Sequence, residues 1–286
     1  MYSTTTIAKN SKLTGKIVGT HQQIDQVARK VLAKHLPRGK YFPSSKEILH
    51  FEGTRGPDGL KRKSPDDDDP SHMFGEDNGR ELFQQISDHY ANLVQALRTH
   101  NEVRAAFEAA WLAHKITDGL TPAHHFPLSE AKEELMSNKE FVKIFGEPIK
   151  GIMHGRNVAE TMRNNWLYWG AGGHMSKHIA YEYGVTIIAA AIPQRQLIPK
   201  MGKGEFYWVD LKKIFYEAIA RAQVPEAYER FRKDGWTVDL ALETKNVLLP
   251  EIVRTVVLAW YGAAEEAYDL HPQSKPNKGA KCAKKA

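Results

Sequence analysis

The sequence predicts an all-α protein folded as a single multi-helix domain. Three observations carry this reading. Apolar residues recur at helical spacing in one stretch after another, and the segment AAFEAAWLAHKITDGL is rich in alanine, the strongest helix former. Between such stretches lie irregular segments that carry prolines and glycines.

The elements follow in order. Residues 1–20 are polar and small, an extended lead-in. From His21 to about His35, Ile24, Val27, Val31 and Leu32 form one stripe, with Thr20 as N-cap, so His21 stands in the first turn. Taken alone, His21 is better read as an exposed first-turn histidine. Residues 36–77 read as irregular and contain Asp58 in GPDG, the run Asp66 to Asp69, and His72. A loop this long is usually functional or disordered, so its carboxylates and histidine suit either a metal shell or a solvated loop. Over residues 78–98, Leu82, Ile86, Tyr90, Val94 and Leu97 mark a helix, in which His89 reads as a surface or structural residue.

After a break at 99–101 comes the alanine-rich helix, with Phe107, Trp111 and Leu112 assigned to the core. His114 and Asp118, four apart, share one helical face, where an imidazole and a carboxylate can converge on one ion. Pro122 ends that helix and turns His124 back toward the same place. Such a pair on its own occurs by chance on many helices. Residues 127–173 read as a lid or insertion, with Trp166, Tyr168 and Trp169 either walling a cleft or packed in the core. Then His174, His178 and Glu182 follow at intervals of four on one face, a spacing that helical zinc sites use. Two amphipathic helices, 209–234 and 245–269, complete the domain, the second with Val247, Ile252, Val256, Leu258 and Trp260.

Composition narrows the chemistry. The 286 residues are 42% hydrophobic and 26% charged, ordinary for a globular domain with ample core. No run of 18 apolar residues predicts a membrane span, and no apolar leader opens the chain, so the expected location is cytoplasmic as written, or secreted or periplasmic if a leader preceded Met1. With 13 histidines and the single Cys282, metal chemistry must use nitrogen and oxygen ligands. The net charge of +6 favours polyanions only weakly, because the stretch 271–286 reads as a disordered basic tail that holds several of the lysines.

In chain order these elements are His21, Asp58 with His72, His114 with Asp118 and His124 in LAHKITDGLTPAHH, and His178 with Glu182 in HIAYE. The series resembles the zinc-dependent phospholipase C family and its relatives, the single-strand-specific zinc nucleases, over about residues 20–265. The resemblance implies a helical metallohydrolase domain over 21–270 with two or three zinc ions. Asp58, His72, His114 and Asp118 would hold one, His124, His178 and Glu182 the second, and His21 a third shared through Asp118. It implies a phosphoric ester hydrolase in which zinc-bound hydroxide attacks a phosphodiester, with Asp58 and Asp118 catalytic and Trp166 and Trp169 touching substrate.

The expected partner is a phosphodiester, phospholipid or nucleic acid, with no obligate protein partner. Two departures stand out. Family members place the amine of an N-terminal tryptophan on the third zinc, whereas no tryptophan here precedes Trp111, and about fifty residues separate His124 from His174. Three alternatives stay open: a nuclease, a phosphatase on nucleotides, and a non-catalytic bundle stapled by metal.

Overall fold

The computed structural model describes residues 19–52, 56–57, 79–136 and 151–270, and every regular element among them is helical. Most of the expected lead-in, the Asp58 to His72 loop and the basic tail lie outside the described residues.

Helix α1 (Thr20–Leu32) is capped by Gly19 rather than Thr20. The Gly19 amide donates to Gln22 Oε1 at 3.1 Å, which places Thr20 inside the first turn. Its hydroxyl is thereby free to donate to Thr186 Oγ1, a buried contact of 3.2 Å that ties the start of α1 to a distant helix. The region expected to be irregular contains a short helix, α2 (Ser45–His50). Ser44 and Glu47 form its capping box, with the Ser44 amide donating to Glu47 Oε2 at 2.7 Å. This turn ends just before Glu52, which is buried.

Helices α3 (Arg80–Arg98) and α4 (Glu102–Gly119) pack along one another through the turn at 99–101. Asn101 caps α4 by accepting from the Arg104 amide at 3.1 Å. A 3₁₀ turn, Pro122–His125, follows α4 closely. Next come α5 (Leu128–Met136), α6 (Val158–Trp169) and α7 (His174–Ala191). Leu128, Met153 and Tyr168 make a small core of their own beside the main one, and α5 and α6 both pack on α7.

The single helix expected over 209–234 is in fact two, α8 (Leu211–Arg221) and α9 (Val224–Asp234). Gln223 between them is left-handed, with φ at 46°, and Pro225 stands in the first turn of α9, where a missing amide costs nothing. The last expected helix starts earlier than 245: α10 (Val238–Glu243) runs through a π turn, Thr244–Leu248, into α11 (Leu249–Tyr268).

Helix α11 is the centre of the fold and packs on α1, α3, α4 and α8. From Thr255 to Glu265 every residue is buried, so this stretch is enclosed by its neighbours on all sides. Full burial of each Ile, Val or Leu contributes about 1.5–3 kcal/mol. Trp260 is fully buried and its indole N–H donates to the Ala109 carbonyl at 3.0 Å, so even its one polar atom is paired within the core. Among the described residues, the one stretch long and apolar enough to cross a membrane is Val238–Tyr268, and 78% of its most apolar window is buried inside the protein. Phe107 and Trp111, expected in the core, are only half-buried, whereas Leu112 is fully enclosed.

Candidate metal centre

Three helices deliver the site. The first turn of α1 carries His21, the last turns of α4 carry His114 and Asp118, and α7 carries His178 and Glu182. The 3₁₀ turn at Pro122–His125 adds His124, as the proline predicts. All six side chains are buried.

The contacts form a continuous chain. His114 Nδ1 lies 3.2 Å from Glu52 Oε1, and its Nε2 lies 3.2 Å from Asp118 Oδ2. The other Asp118 oxygen is 3.4 Å from His21 Nε2 and 4.0 Å from His124 Nδ1. His124 Nε2 then donates to Glu182 Oε1 at 2.8 Å, and His178 Nε2 stands 3.4 Å from the same oxygen. The rings of His21 and His114 stack at 4.1 Å between centroids, and those of His124 and His178 at 5.2 Å.

Two triads within this chain have ligand atoms close enough together to hold a metal ion: His21 with Glu52 and His114, and His124 with His178 and Glu182. Asp118 lies between them. The second triad is the grouping expected from the sequence. The first differs from expectation: His21 joins His114 directly instead of standing apart, and Glu52 enters as a partner that sequence reading missed. Asp58 and His72 lie outside the described residues. His174, spaced four before His178, is not part of either triad. It stacks on Phe126 at 5.4 Å, in the first turn of α7.

A further carboxylate belongs to the cluster. Asp25, one turn beyond His21 on α1, is 2% exposed and interacts electrostatically with Glu52 and His114. Burial, and behind it the Glu52 charge, push its carboxyl well above the usual range, with His114 pulling the other way. Asp118 goes the opposite way. Burial would raise it, but the His114 and His124 imidazoles outweigh that and hold it well below its ordinary value. Burial lowers the pKa of His124, against the pull of Asp118 and Glu182. The lowered pKa values of Asp118 and His124 both favour the deprotonated forms that metal binding requires.

The donor set fits a divalent cation bound through nitrogen and oxygen. Four buried carboxylates, Asp25, Glu52, Asp118 and Glu182, gather against four imidazoles. Burying charge at this density is costly without a compensating cation. Moreover, the Nδ1 atoms of His21 and His178 and Oδ2 of Asp25 are buried without a hydrogen-bond partner among the described residues.

Adjacent histidines serve other purposes. His125 Nε2 donates to the Gly119 carbonyl at 2.8 Å, and burial pushes its pKa down to about 4, so it buttresses the turn in neutral form. His89, on α3, is structural: its Nδ1 lies 2.6 Å from Glu108 Oε2, a carboxylate with no exposure that Arg104 also pairs. Trp166 and Trp169 sit on the outer face of α6, 69% and 45% exposed, while Tyr168 between them is buried. The wall of aromatics expected from the sequence is therefore divided between surface and core. No family model, curated protein or solved structure matches the chain.

Proposed function

We propose that the chain is a zinc-dependent phosphoric ester hydrolase, phospholipase C-like in its reaction. The observation that supports this best is the unbroken path from Glu52 through His114, Asp118 and His124 to Glu182, with Asp118 reaching toward both triads. Zinc suits such ligands because it accepts imidazole and carboxylate, needs no redox chemistry and tolerates an open position.

In this reading His124, His178 and Glu182 hold one ion, and His114 with Glu52 and His21 holds another. When bound, the ions supply a nucleophile from water at neutral pH and offset charge on the phosphoryl oxygens. Asp118 positions His114 with one oxygen and His21 with the other, both of the first triad, and the oxygen facing His21 also lies 4.0 Å from His124 of the second. The hydrogen bond between His124 Nε2 and Glu182 Oε1 brings these two ligand side chains together at 2.8 Å. Thr186 donates to the Glu182 carbonyl and accepts from Thr20, holding α7 against α1 at the level of the site.

Substrate contact falls to Trp166 and Trp169, exposed on a helix that packs against the ligand-bearing α7. Exposed indoles suit the interfacial region of a phospholipid, and they would equally stack on bases, which keeps a nuclease as the second reading.

The test is zinc content by mass spectrometry, paired with hydrolysis of bis(4-nitrophenyl) phosphate with and without chelator. Two or three zinc ions per chain and chelator-sensitive turnover are expected. Protein that binds zinc but turns over no phosphodiester would leave a metal-stapled helical bundle, and protein that binds none would remove the metal centre altogether.

A further inference from the structure

The ligand pairs on α4 and α7 share one geometry: a histidine followed four residues later by a carboxylate, His114 with Asp118 and His178 with Glu182. Helix α1 repeats it with His21 and Asp25. At this spacing both side chains of a pair rise from one helical face, one turn apart. Asp25 interrupts the run of buried apolar residues between Ile24 and Val27, a position where a leucine would otherwise serve the core better. Yet it is buried to the same degree as its neighbours, and its Oδ2 has no hydrogen-bond partner among the described residues. His21 on the turn before it has an unpartnered Nδ1 as well. Asp25 interacts electrostatically with Glu52 and His114, though it stands outside their closely spaced triad, and His21 stacks on His114 at 4.1 Å.

We propose that Asp25 is a fourth ligand, with His21, Glu52 and His114, to a divalent cation of the zinc class, in a site separate from that of His124, His178 and Glu182. The proposal rests on the metal-centre reading above and extends it. Three helices would each contribute a histidine and a carboxylate at the same spacing. A buried carboxyl oxygen left without a hydrogen-bond partner carries a desolvation cost. A cation at this place removes that cost and explains why an aspartate is kept inside the α1 stripe.

The experiment compares zinc bound by the full-length chain, stripped with chelator and re-dialysed against zinc, with that bound by Asp25→Asn and His124→Ala. Asp25→Asn is expected to lose one ion, or to bind it at least about tenfold more weakly. His124→Ala should lose a different one, and the double variant both. Metal-free Asp25→Asn should melt close to metal-free wild type, because the amide has nearly the shape of the carboxyl it replaces. Wild type that binds no zinc would sink the metal centre itself. Wild type that binds zinc while Asp25→Asn keeps the same count and affinity would overturn only the assignment of Asp25, and so would a loss of zinc accompanied by a lower metal-free melting temperature. A second variant reads coordination directly: Asp25→Cys, with Cys282 replaced by serine, loaded with cobalt(II). Thiolate-to-cobalt charge-transfer absorption is expected, and a cobalt-loaded protein lacking that band would overturn the assignment.

Discussion

His21 and Asp118 meet at 3.4 Å across the start of α1 and the end of α4, and the same carboxylate reaches His114 with its second oxygen at 3.2 Å. One side chain thus fixes an imidazole from each of two helices and faces a third, His124, at 4.0 Å. Asp118→Asn keeps the shape and removes the charge, so it should weaken zinc at both triads. His178→Ala, by contrast, should weaken one. A competitive chelator titration that resolves the two affinities distinguishes them, and an Asp118→Asn variant that loses only one ion would mean the carboxylate does not link the triads.

Metal removal should lower stability measurably. The buried Asp25 and Glu52 carboxyls oppose one another's ionisation, and an ion that binds only the folded state stabilises it by about 2.7 kcal/mol at a concentration one hundred times its dissociation constant. Scanning calorimetry of chelator-stripped protein should show a melting temperature that rises on zinc addition and barely moves with magnesium, which prefers oxygen ligands and a hydrated octahedral shell.

Histidines of the cluster and histidines elsewhere should separate cleanly by activity. His114→Ala and Asp118→Ala are expected to abolish chelator-sensitive hydrolysis. His89→Ala should keep it while losing about 1–3 kcal/mol, because Glu108 then remains fully enclosed with only Arg104 to pair it. His271→Ala, outside the described residues, serves as a second control that should also keep activity. Equal loss across all four variants would place the chemistry somewhere else.

The two exposed indoles offer a test of substrate class. Trp166→Ala should change stability by less than about 0.5 kcal/mol, since the side chain is 69% exposed. If it touches substrate, KM should rise while kcat holds. Running that comparison on a short-chain phospholipid and on a single-stranded oligonucleotide shows which class depends on the ring, and no change with either removes Trp166 from the substrate path.

The site was legible where its residues lie close together in the chain. HKITD on a helix and the proline that turns His124 back are local patterns, and so is HIAYE, and the structure gathers all of them. Glu52 was not legible because its partner His114 is 62 residues away and nothing periodic surrounds it. The one available signal was the capping pair Ser44 and Glu47, which announces a helix in a stretch read as irregular. Asp25 did carry a signal, its spacing of four from His21, but within an amphipathic helix it passes for a polar-face residue until burial is known. Helix breaks were obscured in the same way. Pro225 marks the start of α9, while the left-handed Gln223 that lets the chain turn there is a residue type with no preference for that conformation.

Gly119 follows Asp118, and its lack of a side chain is what lets α4 approach α8. A Cβ at this position would stand 2.7 Å from Phe215 Cζ and 3.0 Å from Leu82 Cδ2. Both neighbours are fully buried, so neither can swing aside without disturbing the core. The Gly119 carbonyl also accepts from His125, so a shift there is transmitted into the turn that carries His124. Gly119→Ala should therefore cost about 1–3 kcal/mol through overpacking and weaken zinc as well. Gly39 gives the contrast: it sits at φ of 82° with open space around it. Gly39→Ala pays only for the left-handed backbone, about 1–2 kcal/mol, and should leave zinc affinity unchanged. Thermal melts and zinc titrations of the two variants separate a packing constraint at the metal centre from a loss of stability alone. Equal zinc affinity in both would show that Asp118 and His124 hold their positions independently of the α4–α8 contact.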